Sequence, residues 1–167
     1  MKTKNLEEAF LVKIQALYDI ETQLVKALPK MAKKASNEEL RNALVDHLEE
    51  TKEHVARLEE VFKAKDLKPK KVKVEAIRGL IADAEWTMSN SGSDEVRDAS
   101  IIAAAQYVEH YEIAGYGAAV EWAKVLGDQD AEELLSVTLE EEKTADEKLS
   151  MLAATGINEA AADLQTE

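Results

Sequence analysis

Four long stretches of this chain carry apolar residues at alternating three- and four-residue steps, and that spacing constrains the fold most. It lays side chains along one stripe of an α-helix and conflicts with the two-residue alternation of a strand. In the first stretch, about 5–34, the stripe is Leu6, Phe10, Ile14, Leu17, Leu24, Leu28 and Met31. Pro29 falls inside it and removes one backbone hydrogen bond, so a kink or break is expected there. "KASNEEL" (34–40) reads as a stop and a start, with Ser36 or Asn37 as cap and Glu39 as a first-turn acid. The second helix runs to about Lys65 on Leu40, Leu44, Leu48, Val55, Leu58 and Phe62.

A lysine-rich connector, "KAKDLKPKKVK" (63–73), leads to a shorter helix over 74–89. "SNSGSD" (89–94) is a loop, with Ser93 or Asp94 capping the third long helix, which reaches about Leu126. "GDQD" (127–130) turns the chain, and the fourth long helix spans about 131–154. From Gly156 the chain is acidic and Ala-rich, and is expected to be loosely held. The domain plan is a helical body over 1–155 and an acidic C-terminal tail over 156–167. The first and second long helices, and the third and fourth, are joined by short connections and so are antiparallel neighbours. The second-to-third connection is long and holds its own helix. The expected fold is therefore all-α, a ferritin-like four-helix bundle of two antiparallel hairpins with a long crossover. A weak internal repeat agrees: "LYDIETQL" (17–24) recurs as "HYEIAGYG" (110–117), and "LEET" (48–51) as "LEEE" (139–142).

Composition narrows the chemistry. At 167 residues the chain makes one domain with a sizeable core. Its 21 basic and 34 acidic side chains give a charge of −13, which argues against nucleic-acid and anionic-membrane partners. The lysines from Lys63 to Lys73 lack interleaved aromatics and read as a solvated connector. The absence of Cys removes thiol catalysis, zinc–thiolate sites and Fe–S clusters. No apolar run approaches the roughly 18–20 residues of a membrane span, and "MKTKNLEEAF" has no apolar signal core, so a cytoplasmic location is expected.

Against that background, acids inside the stripes stand out. In the first helix, Glu21 sits between Leu17 and Leu24. In the third, Glu109 and Glu112 follow Ile102 and Ala105 and precede Tyr116 and Val120. In the fourth, Glu142 and Asp146 follow Leu135 and Leu139. In the second, His47, Glu50 and His54 share a face beside the seam. Any chain with 34 acids places some near a stripe by chance. Agreement of four helices on an acid near mid-length is harder to obtain that way. Buried carboxylates are costly unless neutralised or paired. Clustered with imidazoles, they form the oxygen-rich, sulfur-free donor set that divalent ions take. The candidate ligands are Glu21, Glu50, His54, Glu109, Glu112, Glu142 and Asp146. Di-iron carboxylate bundles usually carry Glu-x-x-His on two helices. Here the spacings are Glu50-x-x-x-His54 and Glu142-x-x-x-Asp146, so the register in the second and fourth helices stays open by one residue. Glu141, Glu53 and His47 are the second choices.

"YDIETQLVKALPKMA", "HLEET", "EVRDASIIAAAQYVEHYEIAGYG" and "LEEEKTADEKL" resemble the YciE/YciF family of ferritin-like stress proteins, over about residues 5–155. The resemblance implies a ferritin-like bundle with a two-metal centre, iron first and manganese second, in a bacterial stress response. By position it carries the ligands to the seven residues named above, and it implies a homodimer. The function expected on these grounds is that of an oxidoreductase-like protein reacting with O2 or peroxide, with Glu109 or Glu112 bridging and Glu21 and Glu142 as terminal ligands. The alternatives are a non-enzymatic, stress-induced binding or assembly module and an iron-storage-like protein. Tyr18, Tyr107, Tyr111 and Tyr116 fall near the ligands. Tyr116 lies in the seam and is the candidate catalytic residue. Trp86 and Trp122 read as packing or interface residues, and His110 as a rim residue.

Overall fold

The structure, a computed structural model, describes residues 2–163. It is all-helical: α1 (Leu6–Lys34), α2 (Glu38–Ala64), α3 (Glu75–Asn90), α4 (Asp94–Leu126), α5 (Gln129–Leu152) and a short α6 (Asn158–Ala162), with no strand among the described residues. Each of the four long helices starts on a side-chain cap. Asn5 Oδ1 accepts from the Glu8 amide (2.8 Å), Asn37 Oδ1 from Leu40 (3.0 Å), Ser93 Oγ from Val96 (3.2 Å) and Asp128 Oδ1 from Ala131 (3.2 Å). These bonds satisfy amides that have no partner in the first helical turn. α4 ends on Gly127, whose φ of 71° is the left-handed geometry that glycine adopts without strain. α1 continues through Pro29 without a break. Pro29 is exposed, so water can take the carbonyl that the missing N–H leaves over.

The packed pairs are α1 with α2, α2 with α5, α5 with α4, and α4 with α1, so the four long helices form a closed ring. A three-residue link spans about 10 Å, whereas α1 is about 43 Å long. α1 and α2 are therefore antiparallel, and the same holds for α4 and α5. α3 lies across α4 and α1. Inside the ring is one core that includes Phe10, Ile14, Leu17, Phe62, Ile101 and Leu135.

Two buried aspartates fasten the connections. Asp98 on α4 accepts from the Ser36 amide (2.9 Å), the Ser36 hydroxyl (2.5 Å) and the Asn37 amide (2.7 Å), which ties the α1–α2 turn to α4. Asp19 on α1 accepts from the Val74 amide (2.9 Å) and is gripped by Arg78 at 2.7 and 3.2 Å, which ties down the start of α3. The segment after α5 departs from expectation. Gly156, at φ 130°, kinks the chain so that Ile157 is buried in the core, and α6 packs on α4. The last four residues of the expected tail, 164–167, lie outside the described residues. No helix among the described residues is long and apolar enough to cross a membrane.

Candidate metal centre

The buried face of α2 explains the centre. From Leu40 and Leu44, continued four- and three-residue steps reach His47, Thr51, His54 and Leu58, and all six side chains are buried. The seam is polar in its middle. α1 brings Glu21 to that level, α4 brings Glu109, Glu112 and Tyr116, and α5 brings Glu142, all buried. Two groups result, each with its ligand atoms within 4.8 Å of one another: Glu21, His54 and Glu142, and His47, Glu109 and Glu142. Glu142 belongs to both.

His54 Nδ1 lies 3.1 Å from Glu142 Oε1 and 3.4 Å from Glu21 Oε1, at ion-pair distance but without hydrogen-bond geometry. His47 Nε2 lies 3.3 Å from Glu109 Oε1 and 3.8 Å from Glu142 Oε2. The Tyr116 hydroxyl donates to Glu21 Oε1. The outer nitrogen of His54, Nε2, lies 3.0 Å from Glu141 Oε2, and Arg57 grips the same carboxylate, with Nη2 2.9 Å from Oε1. The structure thus fixes the His54 ring from outside and turns Nδ1 inward, the pattern by which an outer carboxylate orients a ligating imidazole.

Electrostatics show the cost of this assembly. Burial, reinforced by Glu142 and Glu21, pushes the Glu112 carboxyl well above its ordinary range. Burial does the same to Glu109, against the opposing pull of His47. It also raises Glu142, with His54 pulling the other way. Burial alone would lower His54, but Glu142 and Glu21 beside it raise it to about 10. His47 is likewise raised: burial is the largest influence and would lower it, but Glu109, Glu50 and Glu21 together outweigh it. Tyr116 is pushed well above its ordinary value by burial and by the neighbouring carboxylates. Without a cation the cluster keeps its charge down by holding protons.

Of the residues expected from the sequence, Glu21, His54, Glu109, Glu112 and Glu142 are brought together. Glu142, expected at one end, is common to both groups. Glu50 stands at the rim, its side chain 48% exposed and 3.3 Å from His47 Nδ1. Asp146 is half-buried, 3.1 Å from Gln106 Nε2 and 3.6 Å from His110 Nε2. His47, a second choice, enters the cluster. Glu141 lies behind His54, and Glu53 is exposed. The unbroken α2 steps were the signal for His47. Nothing local in the sequence marks Arg57. Tyr18 bonds Glu59 (2.7 Å), which, with burial, pushes its hydroxyl up to about 12; Tyr107 and Tyr111 are exposed. Trp86 is exposed, and Trp122 packs partly against the core.

Comparison with known proteins bears on the family and the fold. The model of a family described as a domain of unknown function (DUF892) matches residues 5–162. The chain is 44% identical to Protein YciF of Escherichia coli (strain K12) over 162 residues, 96% of this chain and 98% of that one. The crystal structure of the E. coli stress protein YciF superimposes with a TM-score of 0.89 at 44% identity, covering 93% of this chain and 99% of that chain. YcfI from Rhodopseudomonas palustris gives 0.86 at 44% identity, covering 88% and 94%.

Proposed function

The chain belongs to the DUF892 family, and from that premise we propose that it is a ferritin-like two-metal carboxylate protein that reacts with O2 or peroxide in a stress response. The first choice of metal is iron and the second manganese. One observation carries the reading. Seven enclosed side-chain atoms, Glu21 Oε2, His54 Nδ1, Glu109 Oε2 and both carboxylate oxygens of Glu112 and of Glu142, have no hydrogen-bond partner among the described residues. Orphaned polar atoms at one buried point are expensive unless a cation takes them.

The donor set fits: carboxylate oxygens and imidazole nitrogens, with no sulfur, suit first-row divalent ions. Glu21 and His54 would hold one ion, His47 and Glu109 the other, Glu142 would bridge, and Glu112 offers two further oxygens. Iron or manganese held there would supply electrons to O2 or peroxide. The chain's own part is to keep the pocket dry, to hold Glu21 through the Tyr116 hydroxyl, and to aim His54 through Glu141 and Arg57. Dimerisation and a cytoplasmic location are part of the same proposal, drawn from the family likeness. The plan of two antiparallel hairpins and a crossover supports the ferritin-like assignment.

Elemental analysis of protein produced with iron tests the reading. About two ions per chain are expected, with Glu142→Ala losing most of both. Metal-loaded protein should consume peroxide faster than chelator-treated protein. Metal well below one ion per chain after reconstitution would sink the proposal.

A further inference from the structure

The two halves of the centre are not equally enclosed. Glu21, His54 and Glu142 are 0% exposed, whereas His47 retains 7%. Beside His47 and Glu109 lies a cavity of about 110 Å³ between α2 and α5, whose lining includes Ala43, Leu44, Ala145 and Leu149. Its rim carries Asp46, Glu50 and Lys148, all exposed. Behind His54, Glu141 covers Nε2 and Arg57 holds Glu141, and the groove beside Arg57 has none of the clustered acids or histidines in its lining. The cavity holds roughly four water molecules at the volume each takes in the liquid.

We propose that this cavity between α2 and α5 is the route to the buried groups, and that it passes divalent cations carrying part of their hydration shell and species of similar size, but nothing larger. The inference rests on the metal reading above and adds the direction of access. Ala43 and Ala145, whose side chains end at Cβ, leave room in the lining. The rim holds two carboxylates against one ammonium. Lys148 Nζ sits 3.2 Å from Asp46 Oδ2, in a solvent-exposed pair weak enough to open readily. Glu50, next to His47, is placed to take a cation at the rim and pass it inward.

The test mixes the metal-free full chain with Co²⁺ in a stopped-flow instrument and follows the ligand-field absorption, together with Co²⁺ bound per chain at equilibrium. Ala145→Leu should slow association about tenfold or more, since passage then waits on motion of packed groups, while the amount bound stays the same. Lys148→Ala, which removes the rim's one ammonium, should speed association about two- to fivefold at low salt and lose that gain at high salt. Val137→Phe, in the groove beside Arg57, should change neither quantity. Wild-type rates in both Ala145→Leu and Lys148→Ala, or slowing by Val137→Phe, would overturn the route and leave the metal centre standing. A wild-type chain that binds no Co²⁺ overturns the metal reading and the route with it.

Discussion

Both carboxylate oxygens of Glu112 are enclosed and unpartnered, so this one side chain separates a metal ligand from a structural acid. Without metal it costs stability, because a buried acid must either stay protonated or carry an unpaired charge. Glu112→Leu should therefore stabilise the metal-free chain by about 1–3 kcal/mol in urea denaturation while lowering its metal content. A loss of stability would make the carboxyl a structural group. Glu112 was legible in the sequence because it interrupts an apolar stripe, and so were Glu21, Glu109 and Glu142. His47 was less so. Thr51 and the two histidines make the middle of the α2 seam polar, and an apolar count drifts there to Leu48 and Val55, which are only half-buried. That drift brought Glu50 forward as a ligand. On α5 the same thing happened: Thr138, not Leu139, is the fully buried residue, and Asp146 turns part-way out.

At the scale of the helix, α4 shows how space is shared. A Cβ on Gly115 would stand 3.0 Å from Leu17 Cδ2, whereas one on Gly117 would meet nothing within 4 Å. Close approach of α1 therefore depends on Gly115 and not on Gly117. Gly117→Ala should raise stability by about 0.5–1 kcal/mol through helix propensity. Gly115→Val should lower it by about 1–3 kcal/mol through overpacking against Leu17. Thermal melts of the two variants check this, and equal shifts would remove the distinction. Helix positions, caps and the short links were readable from local chemistry alone. The fate of Pro29 was not, because it depends on which side of α1 faces water. Nor was the burial of Ile157, which needs α4 as its partner.

In the whole molecule, the ring of helices follows from link lengths, but its fastenings do not. Asp19 and Glu112 occupy equivalent positions of the internal repeat, yet one grips Arg78 and the other faces the centre. Glu112 itself lies buried beside Glu142, Glu21 and Glu109 without belonging to either group; such roles depend on which element arrives opposite, and α3 has no counterpart in the other half. Arg78, with the Val74 amide and Gln23, outweighs the upward push of burial and holds the Asp19 carboxyl down at about 2, against about 3.9 in an unfolded chain. A carboxyl lowered by folding stabilises above its unfolded value and loses that contribution as pH falls through the folded one. Asp19→Asn should thus cost about 1–3 kcal/mol at neutral pH, and the gap from wild type should close between about pH 4 and pH 2. A gap constant with pH would assign the loss to packing. The unequal enclosure of the two groups has a last consequence on the proposed route. An ion at His47 and Glu109 would stand between the cavity and the sealed group at Glu21 and His54. The two ions would then exchange in single file, last in and first out, and a chelator would strip the protein in two well-separated phases.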